Sequence, residues 1–141
     1  MKTEIPGLVV SQLADAALAK GLFVMPDGNV CGAGKKALGV CKLDTADGEY
    51  APIDTSGIVL MLSGAAITVT DEAVAVVSDA AGKAVAATVL SATPPAGATP
   101  VTSTGAQAAM TIAGSVTPQM INGYALDTAG GANEWIRVKL V

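Results

Sequence analysis

With 141 residues the chain is sized for a single domain, and a net charge of −4 with 14% charged residues argues against nucleic-acid binding, which rests on lysine and arginine neutralising phosphates. Hydrophobic residues make up 51%, but 27 of them are Ala, beside 16 Val, 11 Leu and 7 Ile, and Phe23, Tyr50, Tyr124 and Trp135 are the only aromatics. Alanine removes little area from water at about 25 cal/mol per Å², so the expected core is apolar but thin, and burial against other subunits follows as an expectation.

In chain order, "SQLADAALAKG", Ser11 to Gly21, is the one helix candidate. Its Leu13, Ala17 and Leu18 lie near one face, with Gly21 as a C-cap. Everything after it reads as strands: Leu22 to Met25, Ala37 to Leu43, Ile58 to Leu62, Ala66 to Thr70, Ala73 to Val77, Ala84 to Leu90, Ala109 to Ile112, Asn122 to Asp127 and Glu134 to Val141. Turn signals separate them at "PDG" (Pro26), "ADG" (Ala46), "DAAG" (Asp79) and "AGG" (Ala129). The last strand alternates, with Ile136, Val138 and Leu140 as the core face and Trp135, Arg137, Lys139 and Val141 opposite. Short strands at this spacing predict a mainly β fold, a small antiparallel barrel or sandwich, over 13–141. Residues 91–106, "SATPPAGATPVTSTGA", read as an extended Pro-rich loop within 43 uncharged positions from Ala84 to Leu126. A loop solvated by hydroxyls and amides and a segment covered by neighbouring subunits both fit that stretch.

The motifs for chemistry are weak. Zero histidine removes Ser-His-Asp and Cys-His catalysis. "GNVCGAGKK", Gly28 to Lys36, has five residues between Gly28 and Gly34 where a phosphate loop needs four, and Lys36 stands where Ser or Thr should bind magnesium. Asp44, Asp47 and Glu49 cluster in one turn, but "DTADGE" lacks the later bidentate acid of a calcium loop. No pair of acids stands out for glycoside chemistry. Cys31 and Cys41 make no zinc site without histidine; a bridge across a hairpin and two separate thiols both fit them. The longest apolar run, "IVLML" from Ile58, is far short of the roughly 20 residues that span a bilayer. "MKTEIPGLVV" carries Glu4 and Pro6 and is not a secretory signal. The expectation is a protein without catalytic residues, cofactor or metal.

One phrase is written twice. "GVCKLDTADGEYAPID" (Gly39 to Asp54) and "NGYALDTAGGANEWIRVKLV" (Asn122 to Val141) share Leu-Asp-Thr-Ala, and both read as strand, polar turn, strand, with Leu43 and Leu126 pointing inward and Asp44 and Asp127 toward the turn. The order of "ALAKGLFVMPDGNV", "GVCKLDTADGEYAPIDTSGIVLM", "ITVTDEAVAVVSDAAGKAV" and the closing "WIRVKL" resembles the capsid cement (head decoration) proteins of tailed bacteriophages, over most of the chain except 91–106. The resemblance implies a structural protein on the outer surface of the virion, made in the host bacterial cytoplasm. It implies a homotrimer at three-fold and quasi-three-fold sites that cements neighbouring subunits of the major capsid protein. It also implies that an N-terminal arm, Met1 to Gln12, meets the capsid. Ile5, Pro6, Leu8, Val9 and Val10 then suit strand addition, and Trp135 is expected at a subunit contact or as a core plug. The alternative is a non-enzymatic binding module of a phage tail, fibre or cell-surface adhesin; aromatic-rich loops, its discriminating feature, are lacking.

Overall fold

The computed structural model describes residues 2–88, 91–93, 111–113 and 120–141, and among them there is no α-helix. The fold is mainly β, as the turn-rich, valine-rich sequence predicts. A four-stranded antiparallel sheet holds β2 (Val9–Leu13), β5 (Tyr50–Asp54), β4 (Gly39–Cys41) and β3 (Phe23–Val24), in that order. A six-stranded sheet runs β1 (Ile5–Pro6), β6 (Gly57–Leu62), β12 (Trp135–Leu140), β11 (Gly123–Ala125), β7 (Val74–Ser78) and β8 (Ala84–Ala86). Its far edge curls back: Ala84 bridges Ser63, just past β6, and the Gly64 N–H donates to Ala84 O at 2.7 Å. A separate pair joins β9 (Ser91–Thr93) to β10 (Thr111–Ala113). The remainder of the expected Pro-rich loop, 94–106, lies outside the described residues.

Two of the predicted elements are overturned. Ser11 to Gly21 is not a helix: Ser11 to Leu13 belong to β2, and Leu18 makes a two-way backbone bridge with Thr45 at 2.9 and 2.8 Å. Burial of Ala14 and Leu18 four apart mimics a helical stripe, but pairing with β5 decides the backbone. Ala66 to Thr70 is no strand either, only an isolated bridge from Ile67 to Ala129. The final strand behaves as its alternation predicts, with Ile136, Val138 and Leu140 buried.

The two sheets repeat one design. Residues 9–54 supply β2, β3, β4 and β5, and their spatial order is first, fourth, third, second. β6, β7, β11 and β12 have that same order. The detail repeats as well. Ala14 N–H donates to Glu49 O at 2.8 Å as Ser63 N–H does to Glu134 O at 2.9 Å. Lys42 N–H donates to Pro52 O as Leu126 N–H does to Arg137 O, and the Leu18–Thr45 bridge matches Ile67–Ala129. The sequence carries a faint copy of this in "QLADAAL" (Gln12 to Leu18) and "MLSGAAI" (Met61 to Ile67). The protein is an internal duplication in structure.

The halves stack unequally. The inner face of the second half (Val59, Met61, Ile67, Val76, Ile136, Val138) packs with Phe23 and Val40 from the first half as one core. The corresponding inner face of the first half (Val24, Cys41, Ala51, Ile53, with Ala14 and Leu18) forms a second, smaller core. Cys31 lies in the larger core and Cys41 in the smaller; both are free thiols whose pKa is pushed up by burial. The Gly28 to Lys36 loop is a structural clamp. Lys36 Nζ donates to Ile121 O and Val141 O, and the Asn122 amide bridges Ala37 N–H and Lys35 O.

Candidate functional site

From Ile5 to Leu13 the N-terminal segment is paired to the body of the domain. Ile5 sits opposite Ile58 and Leu13 opposite Tyr50, and one register runs unbroken between them. β1 and β2 are thus one nine-residue ribbon that passes from the six-stranded sheet to the four-stranded one. The corner is made by Gly7 N–H to Ser56 O, Leu8 N–H to Ser56 Oγ and Thr55 N–H to Leu8 O. At Gly57 the backbone has φ 98°, and a Cβ there would stand 2.4 Å from Ile5 O, so glycine is needed for the ribbon to approach.

This ribbon is the outer strand of both sheets. Thr55 N–H bonds Leu8 O and Ala14 N–H bonds Glu49 O, so in the alternating ladder Leu8, Val10, Gln12 and Ala14 face β5. The main-chain groups of Val9 and Ser11 therefore face away from the sheet. Natural edges are guarded by charge or proline; β1 has Pro6, whereas β2, "VVSQL", has neither.

Of the expected contact residues, Ile5 (64% exposed), Leu8 (60%) and Val9 (44%) are brought together on this edge, with Pro6 exposed beside them. Val10 is half-buried against the smaller core, so its side chain is not part of the exposed set. Trp135 is elsewhere, two strands from β1 on the outward face of the six-stranded sheet and 41% exposed. Its ring lies over Gly21, where a Cβ would come within 2.5 Å of the indole, and Lys20 Nζ stands 5.8 Å from the ring centroid. Lys2 Nζ donates to Trp135 O.

Sequence reasoning missed Asp54. It is 2% exposed, its Oδ1 has no hydrogen-bond partner, and Lys42 Nζ stands 3.6 Å away. Burial raises its pKa; Lys42 and Lys20 oppose that shift and Glu4 adds to it. Nothing local in "YAPID" signals a buried acid, because the cover comes from the strands on either side. Asp127 is the opposite case. Arg137 donates to both of its oxygens, at 2.8 Å from Nη2 and 3.0 Å from Nε, and its carboxyl is held below the usual range chiefly by that contact.

Two acids of the polar turn accept backbone N–H groups. Asp44 Oδ1 accepts from Lys20 N–H at 2.7 Å, and Glu49 Oε2 accepts from Ala46 N–H. Together with Ala17 and Leu18 they line an open depression. Leu43, expected inward, is 58% exposed, and Leu126 is half-buried. Among the described residues no three of His, Cys, Asp and Glu are placed to hold a metal, and no helix is long and apolar enough to cross a membrane. Compared with family models, curated proteins and solved structures, the chain matches none.

Proposed function

We propose that the protein is a structural, non-enzymatic component of a phage virion. In this reading it binds the outside of the head and cements neighbouring major capsid subunits, as a homotrimer at three-fold and quasi-three-fold sites. The observation that carries it is the open ribbon edge, where Ile5, Leu8 and Val9 are exposed beside unpaired main-chain groups of an uncharged strand. Such an edge binds by strand addition, with main-chain bonds for affinity and apolar side chains for register. Weak contacts of this kind gain strength when repeated on a lattice. The ordered motifs of the sequence resemblance point the same way.

Because the N-terminal ribbon is part of both sheets, its deletion tests folding as much as attachment. Single substitutions separate the two. Purified protein added to heads that lack it should sediment with them, and Leu8→Glu or Ile5→Glu, both at exposed positions, should lose that binding while keeping the wild-type melting curve. Electron density for the protein on the head lattice is the expected result. Density at the tail tip, or unchanged binding by both variants, overturns the reading.

A further inference from the structure

The internal duplication shows which surface is left without its counterpart. In the first half, the face of β3 and β4 that carries Phe23 and Val40 is buried against the inner side of the second half. Among the described residues, no sheet lies over the matching face of the second half, on β6, β12 and β11. It is unusually apolar for an outward sheet face: Ile58, Leu60 and Leu62 are half-buried there, with Trp135 (41% exposed) and Tyr124 (37%) alongside. Cations rim it. Arg137 and Lys139 project from β12, Lys20 lies over the indole and Lys2 reaches Trp135 O, with Asp127 answering Arg137 and Lys2.

A second exposed patch has the complementary character. In the turn between β4 and β5, Leu43 (58% exposed) and Tyr50 (72%) flank Asp44, Asp47 and Glu49, and no Lys or Arg occurs from Leu43 to Asp54. We infer that the outward face of the six-stranded sheet docks the acidic Leu43 to Tyr50 turn of a second copy of this chain. Apolar surface meets apolar surface, and Lys139 and its neighbours meet Asp47 and its neighbours. Two different patches make a head-to-tail contact, the kind that closes into rings. The inference deepens the trimer half of the proposed function and rests on it.

Charge exchange tests it. The pure wild-type protein, followed by sedimentation and by the emission of its one tryptophan, associates as concentration rises, and Trp135 emission moves to the blue. Lys139→Glu and Asp47→Lys, both at exposed positions, each weaken association at least about tenfold. The double variant Lys139→Glu/Asp47→Lys recovers most of it. Unchanged melting curves for the single variants establish that contact, not folding, was lost; Trp135 emission on dilution of the wild type reads the same contact without any substitution. A wild type that stays monomeric, single variants that associate normally, or a double variant that does not recover overturns the inference. Head binding by a protein that stays monomeric overturns this contact alone, and association without head binding overturns the capsid reading alone.

Discussion

Leu-Asp-Thr-Ala stands at residues 43–46 and again at 126–129, and the two copies occupy their ladders differently. Leu43 is 58% exposed and Leu126 half-buried; Thr45 is buried and Thr128 exposed. Asp44 accepts one backbone N–H, whereas Asp127 holds a guanidinium fork and the Arg137 N–H. The cause is Lys42. Three residues separate Gly39 from Leu43, but two separate Gly123 from Leu126, while the ladders themselves superpose. A one-residue offset sends each side chain to the other face. The ladder partner of Ala129 in the first half is therefore Thr45, and that of Asp127 is Leu43. Equal words at unequal register have unequal roles.

The comparison can be broken where the halves differ in bulk. Ile136 and Ala51 hold matching places opposite β6 and β2, yet Ile136 belongs to the larger core. Ile136→Ala should cost about 2–5 kcal/mol in chemical denaturation, with the slope unchanged. A loss below about 1 kcal/mol would mean the larger core does not carry the domain.

Lys42, the extra residue, is the next lever. Lys42→Met keeps the register and removes the cation beside buried Asp54. At neutral pH it should destabilise by about 2–4 kcal/mol, less than for a fully buried pair because Lys42 is one-third exposed. The loss should shrink in acid, where Asp54 is protonated. A pH-independent loss would instead point to packing of the lysine stem.

The two aspartates of the repeated phrase come third. Asp127→Asn should cost about 1–2 kcal/mol, since charge-assisted bonds to Arg137 are lost, and Asp44→Asn less than about 0.5 kcal/mol. Equal effects would remove the distinction drawn between the copies.

The smallest effect is in the pH profile, where two acids pull in opposite directions. Asp127 has a folded pKa below its unfolded value, so its contribution is present above the ordinary carboxyl range and is lost as pH falls through the depressed value. Asp54 has a folded pKa above its unfolded value, so its contribution is full below that range and is lost as pH rises through the raised value. Asp54→Asn should flatten the fall in melting temperature just above the ordinary carboxyl range, and Asp127→Asn the fall below it. The same side flattening in both would contradict these assignments.

Much of the architecture was legible. Valine-rich runs between Asp-Gly and Gly-Gly turns gave short antiparallel strands, and the alternation of Trp135 to Leu140 gave the buried face of β12. The first eighteen residues were not. Alanine and leucine from Ser11 to Gly21 satisfy a helical spacing, and inward-facing Gln12 spoils the strand alternation of "VVSQL". The matched "QLADAAL" and "MLSGAAI" held the missing signal, because the second copy follows a clear strand.

The amino-acid order by itself determined the β class, the turns and the twice-used strand-turn-strand, all of which follow from side-chain shape and local backbone preference. Only tertiary structure decided that Ser11 to Leu13 extend along β5, that Lys42 throws the two Leu-Asp-Thr-Ala copies onto opposite faces, and that Asp54 is sealed from water. Those outcomes depend on strands distant in sequence. Helix propensity, even that of alanine, is weak beside the hydrogen bonds and burial that a neighbouring strand supplies.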